Sequence, residues 1–158
     1  GNVGTRLSKL DDGLYDAIIL ASAGLKRLGL AERIRHCLAP TLSLPAVGQG
    51  ALGLECRADD QELLELISPL QHEVTSICVR AERAFNAYLE GGCQVPIAGY
   101  AIITQNQLHI GGRVGSVDGK TLLKEQLSGA LDEGERLGVV LAEKLLAQGA
   151  GELLKALY

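Results

Sequence analysis

Ile97-Ala98-Gly99-Tyr100-Ala101-Ile102-Ile103-Thr104, Gln105-Asn106 and Leu108-His109-Ile110-Gly111-Gly112-Arg113-Val114-Gly115 form the stretch whose reading decides the fold. Two strand-like runs lie on either side of a short polar break, and such a break is a hairpin signal. A third run, Thr121 to Leu127, follows the turn residues Val117-Asp118-Gly119, so the three are expected to form an antiparallel meander. Downstream, helices are expected over Asp132 to Gln148 and Gly151 to Leu157, with Gly149 and Gly151 at their junction. Together these segments predict an α+β unit with helices on one face of the sheet.

Upstream of the meander, Val74, Ile77, Cys78, Ala81, Phe85, Tyr88 and Leu89 recur at helical spacing and predict a long helix over Gln71 to Glu90. Gly91 is placed to be the residue just past its end, and Pro96 discourages any helical continuation. The segment Gly91-Gly92-Cys93-Gln94-Val95-Pro96 therefore sets one thiol in an uncrowded loop, where glycines lower the steric cost of bringing a ligand to the backbone. Cys93 is the first candidate for chemistry. Cys37, Cys56 and Cys78 read as small buried hydrophobes.

The N-terminal part has a different rhythm. Thr5 to Leu10, stopped by Asp11-Asp12-Gly13, reads as a short helix, and the apolar run Tyr15 to Ala21 reads as a buried parallel strand. Gly24 to Leu30 is expected to be helical, carrying Lys26 and Arg27 behind the C-terminal end of that strand, the edge where open α/β sheets bind ligands. Pro40 to Pro45 is loop, and Gly48-Gln49-Gly50 leads into a second short strand, Ala51 to Cys56. Asp59 to Leu66 is a short amphipathic helix closed by Ser68-Pro69. The expected class is thus α/β followed by α+β, the first part having a mainly parallel sheet.

The 158 residues are 47% apolar but only 3% aromatic, so the core must be built from Leu, Ile, Val and Ala. A net charge of −4 without a basic face excludes a nucleic-acid partner. No apolar stretch approaches the roughly 20 residues that cross a bilayer, and Gly1-Asn2-Val3-Gly4 has no signal-peptide character, so a cytoplasmic protein is expected. The cysteines show no C-x-x-C pairing, and His36, His72 and His109 are isolated, which leaves a metal site or disulfide framework without sequence support. The opening Gly1, in place of Met, leads to the expectation of an excised piece of a longer chain.

Arg6 lies near a helix start, where basic charge opposes the helix dipole. A solvated surface arginine and a guanidinium fork for a substrate carboxylate both fit it, and the same two readings hold for Arg27. Asp11 and Asp12 read as residues of a helix end and turn. Gly48-Gln49-Gly50 lacks both the P-loop pattern and the dinucleotide fingerprint, leaving a hinge or a tight loop whose amides approach a ligand.

Four ordered motifs carry a resemblance. Asn2-Val3-Gly4-Thr5-Arg6-Leu7, Asp16 to Ala21 with Ala23-Gly24-Leu25-Lys26-Arg27, Leu44 to Ala51, and Leu89 to Ile97 together resemble hydroxymethylbilane synthase, also called porphobilinogen deaminase. The resemblance implies an enzyme that joins four porphobilinogen units, with loss of ammonia, into hydroxymethylbilane on a growing polypyrrole in tetrapyrrole, porphyrin and heme biosynthesis. It implies a dipyrromethane cofactor held by a thioether to Cys93, in keeping with a thiolate nucleophile and the electrophilic azafulvene formed from porphobilinogen. Arg6 and Arg27 match arginines that bind the acetate and propionate groups, and Asn2, Gln49 and Gly50 map to cleft loops.

The same resemblance implies periplasmic-binding-protein-like first and second domains. Residues 1–44 would be the latter part of the second domain, 45–70 the hinge and returning segment of the first, and 71–158 the C-terminal domain with the cofactor cysteine. The family's catalytic aspartate has no counterpart here, since Asp11, Asp12 and Asp16 do not occupy its motif, so no catalytic residue is assigned and this portion alone is expected to be inactive. The intact enzyme is expected to be a monomer, whereas the piece, with open sheet edges, is expected to be prone to self-association. A carboxylate-binding module and an unrelated thiol enzyme using Cys93 are the alternatives.

Overall fold

Helix α1 (Val3–Asp11) begins where Asn2 leaves extended backbone and its Oδ1 accepts the Thr5 N–H at 2.8 Å, which satisfies one of the donors left free at a helix start. The computed structural model describes residues 1–92 and 95–156, which divide into two units, Gly1–Leu42 and Ser43–Tyr158. In the first, α1 stops at Gly13, whose φ of 74° is left-handed, with Gly13 N–H donating to Leu10 O and Leu14 N–H to Lys9 O. Helix α2 (Ser22–Arg27) closes in the same way at Gly29 (φ 72°), with Leu30 N–H donating to Leu25 O. Leu7 and Leu25 are buried, and Arg33, in a 3-10 turn over Ala31–Arg33, pairs with Asp11 at 2.6 Å.

The two strands expected in the α/β part are not formed. Tyr15 to Ala21 and Ala51 to Cys56 have no ladder partner among the described residues, and Ile19 and Leu52 stand 77% and 83% exposed. An apolar run becomes a strand only when neighbouring strands take its amides and carbonyls, and among the described residues neither run has such a strand. A parallel sheet is accordingly absent among the described residues.

From residue 59 onward the second unit follows the expected plan. Helix α3 (Gln61–Ile67) is capped by Asp60, whose side chain accepts the Leu63 N–H, and ends in the Ser68–Leu70 3-10 turn at Pro69. Helix α4 (Glu73–Tyr88) then leads to strands β1 (Ile97–Thr104), β2 (Gln107–Gly115) and β3 (Leu122–Gly129), and to helices α5 (Gly134–Ala147) and α6 (Ala150–Lys155). The sheet order is β1-β2-β3, antiparallel throughout. Gln105 and Asn106 have φ of 52° and 59°, the two left-handed residues that a type I′ hairpin turn needs between the paired Thr104 and Gln107.

One side of the sheet carries the core. Ala101, Leu108, Ile110 and Val114 are buried against Ala81 and Phe85 of α4, Leu89 at its C-cap, and Leu137, Leu141 and Leu145 of α5. Phe85, the single phenylalanine of the chain, is fully buried and lies over Gly99 and Gly112. Those two glycines are direct cross-strand partners, so the ring occupies a socket that the sheet makes by omitting two side chains.

Candidate functional site

Helix α4 controls the site from its middle and from its end. At the end, Glu90 N–H donates to Ala87 O and Gly91 N–H to Asn86 O, the paired bonds of a Schellman stop. The left-handed residue is Glu90, with φ 54°, rather than Gly91 as the sequence suggested. Gly91 is needed for a different reason. Asn86 folds back so that its Nδ2 donates to Gly91 O at 3.0 Å, and a Cβ on Gly91 would collide with the Asn86 Oδ1. The chain then enters an open region, for a Cβ on the exposed Gly92 would meet nothing within 4 Å. Cys93 and Gln94 lie outside the described residues; their flanks are tied by Val95 N–H donating to Gly92 O at 3.1 Å.

At the middle of α4, Glu82 is 5% exposed and is the buried charged residue of the core region. Its Oε2 accepts the Gly48 N–H at 2.7 Å and its Oε1 accepts the Ala101 N–H at 2.8 Å. Burial pushes the Glu82 carboxyl above the usual carboxylate range, and the two amide donors, which favour the anion, pull it part of the way back. The Cys78 thiol, one turn earlier, is also pushed up, by burial first and by the Glu82 charge second, so it is held as the unreactive thiol.

The sign of the Glu82 shift makes a prediction. A carboxyl that holds its proton more tightly when folded adds stability below the ordinary carboxylate range, and that contribution is lost as pH rises through the raised folded value. Wild type should therefore gain stability relative to Glu82→Gln as pH falls from 7 towards about 5, and urea unfolding of both proteins across that range checks it.

The remaining predicted residues divide between the units. Asn2 caps α1, taking the Thr5 hydroxyl at 3.0 Å as well as its amide, and Arg6 is exposed with Nε donating to Gly1 O at 3.2 Å. Arg27 is exposed in the last turn of α2, where its charge complements the helix dipole. Gln49 and Gly50 are exposed in a tight double turn, in which Gln49 N–H donates to Ala46 O and Ala51 N–H to Gly48 O, with Gly48 and Gly50 left-handed at φ 68° and 88°. Gln49 and Gly50 thus share with the Cys93 flanks a common support in α4, through Glu82 and the helix end respectively.

Several expectations need correction or find their structural role. Cys37 is exposed, and Cys56 and Cys78 are only partly covered, so none is the fully buried hydrophobe anticipated; Cys37 and Cys56 sit in segments with no sheet to cover them. Asp11 pairs with Arg33 and Asp12 caps α1, as helix-end residues. His72 and His109 bond Thr75 and Ser128 on the surface. Glu82 was missed, although a signal existed: it is the one acid among the apolar positions Cys78, Ala81 and Phe85 of α4 and Leu89 at its C-cap. Among the described residues no cluster of His, Cys, Asp or Glu is arranged to hold a metal, and no helix is long and apolar enough to cross a membrane.

In class, the well-formed part is an α+β domain, a three-stranded antiparallel sheet with helices packed on one side. Two family models match the chain, porphobilinogen deaminase, dipyromethane cofactor binding domain over residues 1–65, and porphobilinogen deaminase, C-terminal domain over residues 76–147. The chain belongs to the porphobilinogen deaminase family, the transferases of tetrapyrrole synthesis that take porphobilinogen as substrate and carry a dipyrromethane cofactor. Asn2, Arg6, Arg27, Gln49 and Gly50 fall within the first match and Cys93 within the second.

Proposed function

We propose that this chain is the cofactor-anchoring portion of a hydroxymethylbilane synthase, with Cys93 bonded through a thioether to dipyrromethane. The observation that carries the reading is the end of α4, where a Schellman stop and the Asn86 clasp on Gly91 deliver the chain into the open space beside Gly92, immediately before the thiol. The donors fit the group. Its acetate and propionate arms call for planar cationic forks, and Arg6 and Arg27 are exposed guanidinium groups for that purpose. Asn2, Gln49 and Gly50 add polar groups and, at Gly50, a backbone free of side-chain bulk, since a Cβ there would touch nothing within 4 Å. When bound, the cofactor supplies the pyrrole end onto which porphobilinogen is added; the chain's part is to anchor, to neutralise carboxylates and to orient.

In the intact enzyme, residues 1–44 and 45–70 belong to two periplasmic-binding-protein-like domains, where Tyr15 to Ala21 and Ala51 to Cys56 join parallel sheets, and 71–158 is the third domain. The enzyme works as a cytoplasmic monomer. The 158 residues alone do not turn over, because the aspartate that would stabilise pyrrole cations has no counterpart among Asp11, Asp12 and Asp16. Release of hydroxymethylbilane by this chain alone would overturn that last point.

The direct test is the intact mass of the full-length enzyme and of its Cys93→Ser variant, both unfolded in acid after supply of porphobilinogen. The enzyme should carry a dipyrromethane-sized increment that is absent from the variant, with complete loss of activity in the latter. A folded, porphobilinogen-supplied wild type without the increment would refute attachment at Cys93; reversible porphobilinogen binding in that protein would mark a carboxylate-binding module, and thiol-dependent turnover an unrelated thiol enzyme.

A further inference from the structure

The loop that carries Gln49 is held from below by a buried acid. Glu82 reaches from α4 to Gly48 N–H at 2.7 Å and to Ala101 N–H at 2.8 Å, spanning the loop and strand β1 with one carboxylate. Among the described residues β1 is an edge strand, paired with β2 alone, and the Ala101 amide bonded to Glu82 is one that the ladder leaves free. A carboxylate so placed loses most of its water, and such burial is tolerated only where charge-assisted hydrogen bonds replace it. Packing a helix against a sheet needs only apolar side chains at such positions, as at Ala81 and Phe85 beside it. The acid therefore calls for a reason beyond packing.

The loop supplies one. Gly48 and Gly50 are both left-handed, so the turn is a conformation that side chains resist, and the amide fixed by Glu82 belongs to the residue directly before Gln49. Gln49 itself is exposed, with its own amide bonded to Ala46 O at 2.9 Å. The acid thus sits behind the loop while the glutamine side chain is presented to solvent. Gly48 to Ala51, Thr75, Cys78, Glu82 and Tyr100 also line a groove of about 340 Å³, so the turn borders open space as well as the core.

We propose that Glu82 is a positioning residue for the pyrrole-carboxylate site, holding the Gly48–Gly50 turn against β1 so that Gln49 is presented in its ligand-binding pose. The inference rests on the proposed function for the meaning of Gln49, but the latch itself is a property of this unit alone. Glu82→Gln keeps the shape but puts an NH2 against one of the two N–H groups and leaves the other bonded to a neutral oxygen, so in either amide orientation the link between loop and strand is cut and the bond to Gly48 is lost or no longer charge-assisted. Glu82→Asp keeps the charge and shortens the reach, and serves where the amide variant is poorly folded.

The test combines two readouts. Hydrogen exchange on the 158-residue chain should show protection of the Gly48 amide falling about tenfold in Glu82→Gln, the size of one charge-assisted bond, while the Gly119 amide of the β2–β3 turn, bonded to Ser116 O and opened by local motion, stays unchanged. In the full-length enzyme the same substitution should raise KM for porphobilinogen several-fold with kcat little changed, as expected for a lost binding pose. In a Gln49→Ala background it should add nothing further to KM, because the effect passes through Gln49. Unchanged Gly48 protection, an unchanged KM despite a loosened loop, or additivity with Gln49→Ala would each overturn the proposal. A wild-type enzyme without a covalent pyrrole would instead overturn the functional reading, whatever the Gly48 amide does.

Discussion

Phe85→Ala is expected to destabilise the chain by about 4 kcal/mol, measured by urea unfolding followed by far-UV circular dichroism. The ring is fully buried on α4, and its seat is made by absence: a Cβ at Gly99 would lie 2.8 Å from the Phe85 Cδ1, and one at Gly112 2.6 Å from its Cζ. Truncation to alanine removes the ring from a site whose floor has no side chains to collapse inward, so the cavity persists and the cost falls towards the upper part of the usual range. The two glycines face each other across β1 and β2, which are fixed by their ladder and resist closing the gap. A loss below about 1.5 kcal/mol would mean that α4 slides onto the sheet and that the socket is not a specific fit.

Gly138→Ala should cost about 3 kcal/mol, although alanine is the better helix former by about 1 kcal/mol. A Cβ at this position of α5 would strike the Ala81 carbonyl oxygen and lie 2.9 Å from the Phe85 nitrogen and 3.1 Å from the Ala84 Cβ. Two of those three atoms are backbone, so relief requires the α4 and α5 axes to separate, which loosens Leu141 and Leu145 behind them. The same measurement, with a lowered thermal midpoint as the second sign, checks it. A stabilised variant would show that helix propensity, rather than backbone approach, governs this position.

How much of this was legible depended on how local the cause was. Gln105-Asn106 was read as a hairpin turn because two such residues between strand-like runs suffice to make one, and β1 runs from Ile97 to Thr104 as expected. Helix α1 stops at Gly13 for a reason contained in the tripeptide Asp11-Asp12-Gly13, and the apolar stripe of α4 placed that helix within two residues at each end. Gly91 was recognised as special but for the wrong atom, because the Asn86 side chain that excludes a Cβ is brought back by the helix end itself. Of the candidate site, Arg6, Arg27, Asn2, Gln49, Gly50 and Cys93 came from motif resemblance, whereas Glu82 lay in the apolar stripe and was passed over.

The sequence by itself determined the antiparallel meander, the helices around it and the family, since turns, caps and hydrophobic period act over a few residues and ordered motifs persist in the chain. Only the tertiary structure decided which glycines are sockets, that a carboxylate in the core edge joins a loop to a strand, and that Tyr15 to Ala21 and Ala51 to Cys56 have no strand partner among the described residues. These are contacts between residues far apart in sequence. Their energies come from the atom on the other side of the gap, and a linear pattern carries no term for it.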